Sequence, residues 1–247
     1  MKKRLLILGM IFTMAVSSAG CGSSSSDNAG KTDQTKQTAD VQDSQKDTSS
    51  SDKSDNKKDT SYKSADEITM DDLMSHDETA AEDFEFNDSA DEIVIQKYVG
   101  KDPIVVIPDE IDGKKVVGFE SAFTLNNNIV AVKIGNNVQE VENSAFSGCK
   151  QLKYVVMGDS VKTIGGRMFA QTNLQELVLN DGLQKIGQDD SNNVLAPPSS
   201  NCGMDLKIPE SVTELHVSEF NLIGKSGSYA EQYANEHADA GVTFTAE

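Results

Sequence analysis

Histidine, cysteine and proline are scarce in this chain and tryptophan is absent: its 247 residues include three His, three Cys, five Pro and no Trp. With His76, His216 and His237 as the only side chains that titrate near neutrality, general-base catalysis and imidazole metal sites have few places to form. No Cys or His pair has zinc spacing, and no GxSxG, P-loop or Rossmann glycine pattern occurs. Positive charge is also short. The 22 Lys and Arg face 40 Asp and Glu, a net charge of -18, so nucleic acid is not expected as a partner. An enzyme active site is not written in these residues, and neither a cofactor nor a metal is expected. His216, set between Leu215 and Val217, reads as a structural residue.

What is present is repetition. Val138, Val141, the pair Ala145-Phe146, Cys149, Leu152, Val155 and Met157 form a framework. The next unit repeats it as Val161, Ile164, Phe169, Leu174, Leu177 and Leu179, one residue shorter. Upstream, Ala122, Phe123, Ile129, Val132 and Ile134 keep the same spacing, so the period is 22 or 23 residues. Five similar segments open the units: IPDEI at Ile107, IGNNV at Ile134, MGDSV at Met157, LNDGL at Leu179 and IPESV at Ile208. A period of this length means one supersecondary unit that buries its apolar face only by stacking on neighbours. Alternate apolar residues near the end of each unit predict a short strand with one face inward, and the Gly or Pro with Asn, Asp or Ser that follows predicts a turn. The Ala-Phe pair places an aromatic plug on the far side of the coil.

These residues resemble the BspA-type leucine-rich repeat of bacterial surface antigens, approximately IPxxVxxIGxxAFxxCxxLxxVxI, over residues 93–247. The expected fold is a β-rich α/β repeat solenoid of about five turns. The resemblance implies adhesion or recognition, with a protein or cell-envelope component as ligand. A scaffold or spacer in the envelope, with no dedicated ligand, is the alternative.

In chain order, Met1 to Arg4, the apolar run Leu5 to Val16 and the small residues up to Cys21 read as an export signal (1–20) whose core is too short to remain as a membrane span. Ser18-Ala19-Gly20-Cys21 looks like a bacterial lipobox. It makes Cys21 the lipidation site and the membrane a partner through that lipid, two acyl chains sufficing for stable anchoring. A Leu is usual where Ser18 stands, and cleavage without lipidation would give a secreted protein. Residues 22–64 contain no Leu, Ile, Phe, Met or Pro, and their eight acidic and seven basic residues nearly cancel. They are expected to be a disordered tether, with an rms reach of about 35–40 Å.

Residues 65–92 hold twelve Asp or Glu and no Lys or Arg. They are expected to cap the first repeat, with a helix opened by Ser64 and Glu67 and running through Met74. Asp112-Gly113 signals a turn. The fourth unit departs from the pattern: GQDDSNNVLAPPSSNCGM replaces its Phe and lengthens it to 29 residues between Leu179 and Ile208. Asp189, Asp190, Asn192 and Asn193 there have calcium-type oxygens but read as loop chemistry. The last unit closes with Val212, Leu215 and Phe220. Beyond it, Ser228 and Glu231 open a capping helix, Gly241 ends it, and Val242 to Phe244 form a final strand. Cys149 and Cys202 sit two strands apart, roughly 10 Å, too far for a disulfide.

Strand alternation locates the candidate binding face. If Val132, Val155 and Leu177 point inward, then Lys133, Val156, Val178 and Lys207 point outward in one column, with Ala131, Tyr154, Glu176 and Asp205 in a parallel one. Tyr154, Val156 and Val178 would form an apolar patch rimmed by Lys133, Glu176 and Lys207, a composition suited to recognition. The inserted 187–203 turn is the competing location.

Overall fold

The computed structural model describes residues 62–188 and 195–247. The export signal, Cys21 and most of the tether lie outside them, as do Asp189, Asp190, Asn192 and Asn193.

The chain opens with helix α1 (Met70–Ser75), then the antiparallel hairpin β1 (Phe84–Asp88) and β2 (Glu92–Tyr98). Strands β3 (Ile104–Val106), β4 (Glu110–Ile111) and β5 (Lys114–Phe119) complete the first coil. Each following coil is a three-residue strand, a turn, a two-residue strand and a second turn. They run β6 (Ala131–Lys133) with β7 (Glu140–Val141), β8 (Tyr154–Val156) with β9 (Thr163–Ile164), and β10 (Glu176–Val178) with β11 (Lys185–Ile186). β12 (Met204–Lys207), β13 (Glu214–Leu215) and β14 (Phe220–Gly224) follow, then helix α2 (Tyr229–Glu236) and β15 (Thr243–Ala246).

Stacking produces two parallel sheets, β3-β6-β8-β10 along one side of the coil and β7-β9-β11-β13 along another. Three-residue strands bury little by themselves. Their stability comes from the register, in which Val105, Val132, Val155 and Leu177 lie in adjacent rungs and point into one core. Each of the five repeated openings follows one of the strands β3, β6, β8, β10 and β12, and β14 adds a sixth rung, so the solenoid has about six turns.

The aromatic plugs form a column through the core. Phe84 contacts Tyr98, Tyr98 contacts Phe123, and Phe123, Phe146 and Phe169 stack at centroid distances of 5.5 and 6.4 Å. Phe119 packs edge-on against Phe123 at 5.3 Å, absorbing the irregular spacing of the first coil. Left-handed residues bracket each plug: Ser121, Ser144 and Arg167 precede the rings by two positions, and Leu125, Gly148 and Gln171 follow by two. The column stops at the fourth coil, where fully buried Leu195 bridges to Val217. Phe220 is not a plug in the series. It opens β14, opposite Met204 of β12, because the last coil passes directly from β13 into the next rung.

The C-terminal end is closed by the predicted helix and strand: Ser228 caps α2 through the Glu231 N–H and β15 pairs with β14, but the helix ends earlier than expected, at Glu236 with His237 as its cap, and Gly241, with a left-handed φ of 72°, closes the short 3-10 turn that follows. Cys149 remains a thiol, fully buried, and donates to the Phe123 carbonyl at 2.8 Å. Burial pushes its pKa up to about 11.

Candidate ligand-binding face

The outward side of the β3-β6-β8-β10 sheet divides in two, and the division comes from the acidic segment. Ser64 and Glu67 do form reciprocal bonds, but these close a single turn. The helix begins one turn later, where Thr69 and Asp72 make the capping box. That shift places α1 across the sheet rather than at its end: Ile68 and Leu73 pack on Ile104, Val106, Val130, Ala131 and Val156 in a second small core. Two further contacts pin the segment. Lys153, with its side chain only 9% exposed, donates to the Ala65 carbonyl at 2.8 Å and to Asp66 Oδ1 at 3.2 Å. Thr79 pairs with the open edge of β3, its N–H to the Val106 carbonyl (2.9 Å) and the Val106 N–H to its Oγ1 (3.0 Å). An edge that would otherwise invite another strand is thereby covered.

This arrangement corrects the expected patch. Val156 is 7% exposed and Ala131 is fully buried, because α1 lies over them, so Val156 cannot belong to an open apolar surface. Lys133 and Tyr154 are half-buried, and the Tyr154 hydroxyl lies 3.3 Å from Gln175 Oε1. The alternation is as the sequence predicts for β6, β8 and β10, with Ala131 opposite Tyr154, Lys133 opposite Val156, and Tyr154 opposite Glu176, but Asp205 and Lys207 do not continue the two columns, because β12 pairs with β14 in another sheet. Sequence reasoning missed the strap, whose signal was Ile68 and Leu73 in a segment otherwise dominated by carboxylates.

Replacing Lys153 with Met keeps the buried stem and removes the bonds to Ala65 and Asp66. Because a hydrogen bond from a charged donor is worth about 1.5–3 kcal/mol, opening of the strap should rise about tenfold or more. Limited proteolysis within 62–79 reads this, and an unchanged cleavage rate would show that Lys153 does not hold the segment.

The other half of the face is open. Val178 is 39% exposed and Glu176 is exposed beside it. Next to them β10 and β12 are neighbours but belong to different sheets, and a cleft of about 720 Å³ lies along the gap. Glu176, Val178 and Lys207 line it, with Asp181, Met204 and Asp205. Lys207 is ion-paired to Glu247 at 2.6 Å, which holds its pKa above the usual lysine value. Asp205 accepts from Asn221 Nδ2 at 2.7 Å. The inserted turn contributes Asn201 and Gly203 to the same cleft, so the two competing sequence locations meet at one place.

Parallel coils of 22–23 residues built from these strands define a solenoid of the leucine-rich repeat kind. Residues 119–194 match the family described as BspA type leucine rich repeat region, in six copies, so this part of the chain carries BspA-type leucine-rich repeats. Among solved structures it is similar to the leucine rich repeat protein of T. pallidum, at 29% identity over 60% of this chain and 71% of that one, with a TM-score of 0.49. No curated protein matches.

Proposed function

We propose that this is a non-catalytic, lipid-anchored protein on the extracytoplasmic side of a bacterial membrane, whose open strand face around Val178 binds a protein or cell-envelope ligand. The observation that carries the reading is the division of the face. The chain's own strap covers the apolar outward residues of β3, β6 and β8, whereas those of β10 are left exposed beside a cleft. Surfaces of mixed apolar and charged character at a concavity are where recognition concentrates. The three histidines stand apart, His76 near Asp102, His216 near Glu214 and His237 stacked on Tyr233, so no shared site gathers them. Anchoring is assigned to Cys21, and among the described residues no helix is long and apolar enough to cross a membrane.

Two substitutions test the reading. Cys21→Ser should move the protein from the membrane fraction to the medium, and retention in the membrane without an acyl group would contradict anchoring. Val178→Asp should weaken capture of the ligand recovered from envelope or host extracts by about tenfold, with Tm nearly unchanged, as expected for a surface contact. Normal capture by that variant, together with loss on altering residues 187–203, would move recognition to the inserted turn.

A further inference from the structure

The outer sheet buries apolar side chains on both faces, and the two cores are separate. Val105, Val132 and Val155 point into the solenoid, whereas Ile104, Val106, Val130, Ala131 and Val156 meet only Ile68 and Leu73 of the strap, with Ala65, Met70 and Tyr154 at the margin. From residue 62 to 78 only Ile68 and Leu73 are buried, and the Lys63–Asp72 ion pair joins the strap to itself. The strap does not fill the space it covers. An open cleft of about 260 Å³ remains between it and the start of β3, lined by Ile68, Asp72 and His76 on one side and Asp102, Pro103 and Ile104 on the other. A segment attached in this way opens without disturbing the solenoid core.

The covered surface is continuous with the open half of the face. Val156 lies directly opposite the exposed Val178 in the register of β8 and β10, so lifting the strap would extend that surface across β8 and β6 to β3. Lys153 stands at its margin, and the oxygens that receive its ammonium, the Ala65 carbonyl and the Asp66 carboxylate, both belong to the strap. An apolar segment that covered Lys153 without supplying such oxygens would bury an unpaired charge.

We propose that this face is a docking groove with the strap as its internal occupant, and that it accepts in the strap's place a helical segment of a partner protein with a carboxylate ahead of two apolar residues. The inference rests on the binding-face reading above and names the class of its ligand. The strap displays the pattern that fits, Asp66 at Lys153 followed by Ile68 and Leu73 on the sheet. Because strap and partner exclude one another, the closed population sets the partner's apparent affinity.

A fluorescein-labelled peptide of residues 62–76 is the probe, titrated to about millimolar, the effective concentration at which a linked strap competes. In the full chain carrying Cys21→Ser, Leu73→Asp should release the strap, read as faster proteolysis within 62–79. That chain should bind the peptide at least about tenfold more tightly than the chain with Leu73 in place. If Leu73→Asp lowers the main Tm, Ile68→Ala with Leu73→Ala removes the same contacts without burying a charge. Adding Lys153→Met to the released chain should weaken the peptide about tenfold. Asp66→Lys in the peptide should weaken binding to the released chain about threefold, the modest factor of an exposed carboxylate, and leave binding to the Lys153→Met chain unchanged. Equal binding to released and unreleased chains, or no binding to a released one, overturns the groove. Unchanged proteolysis in both release variants overturns the strap as a removable occupant. An Asp66→Lys peptide that binds as well as the original overturns the carboxylate preference. A complex between the Leu73→Asp chain and the chain with Leu73 would make the occupant a second copy's strap and overturn the foreign partner. Val178 is untouched throughout, so ligand capture by Val178→Asp decides the wider reading separately: lost capture with no peptide bound strikes the groove alone.

Discussion

Phe146→Ala should destabilise the domain by about 3–5 kcal/mol through the cavity it leaves. Phe146 is fully buried and occupies the centre of the aromatic column, 5.5 Å from Phe123, 6.4 Å from Phe169 and 5.9 Å from Phe119. Removing it opens a cavity and breaks three ring contacts together. The coils on either side cannot collapse into the space, because the strand ladders fix their spacing at about 4.8 Å. Urea denaturation measures the effect. A loss below about 1 kcal/mol would mean that the column does not carry the packing of the solenoid.

Gly158→Ala should cost about 2–3 kcal/mol by the opposite cause, crowding. A Cβ on Gly158 would stand 2.2 Å from the Gly135 carbonyl oxygen and 2.8 Å from that of Ile134, and both are backbone atoms that cannot swing away. Gly135 is in turn pressed on the preceding coil, with the Ile107 and Pro108 carbonyl oxygens 2.9 Å from its would-be Cβ. Adjacent turns thus touch backbone to backbone, and relief at one displaces the next. Gly118 provides the contrast, since nothing lies within 4 Å of its would-be Cβ. Gly118→Ala should be neutral, or stabilising by up to about 1 kcal/mol through the entropy of the unfolded chain. If the two alanine variants melt alike, the close approach of the coils is not what makes Gly158 necessary.

The repeat was legible because packing imposes it: every coil must bury Val, Ile, Leu and Phe at fixed places, and the period of Phe123, Phe146 and Phe169 records that requirement. The inward and outward alternation of β6, β8 and β10 followed from the same residues. The left-handed residues around each plug left no comparable trace. Ser121, Ser144, Arg167, Leu125 and Gln171 adopt positive φ without the Gly or Asn that usually marks it, so the cost, about 1–2 kcal/mol per residue, is met by the burial of the adjoining ring.

Exposure was the property least readable from pattern. Val156 and Val178 occupy equivalent rungs and have the same side chain, yet one is covered and the other open. The difference comes from Ile68 and Leu73, about ninety residues away in sequence, and no periodicity of the repeats encodes that contact. Likewise the gap between β10 and β12 arises where the inserted turn delays the next strand. Its length was visible, but the transfer of β12 to β14 depends on which edge offered the better register. The short helix was anticipated from Ser64 and Glu67, and a second pair with the same chemistry, Thr69 and Asp72, took the cap because it brings Leu73 onto the sheet.

The division of the face is measured most directly by thiol labelling on intact cells, in a chain carrying Cys202→Ser so that, with Cys21 taken up by the proposed lipid, the remaining native thiol is the buried Cys149. Val178→Cys and Val156→Cys are compared with a membrane-impermeant maleimide, each with and without Lys153→Met. Val178→Cys should react at least about tenfold faster than Val156→Cys, and Lys153→Met should accelerate only the latter, because only that position waits on opening of the strap. Equal rates at the two positions, or no acceleration at Val156→Cys when the strap is loosened, would contradict a binding face half covered by the protein itself.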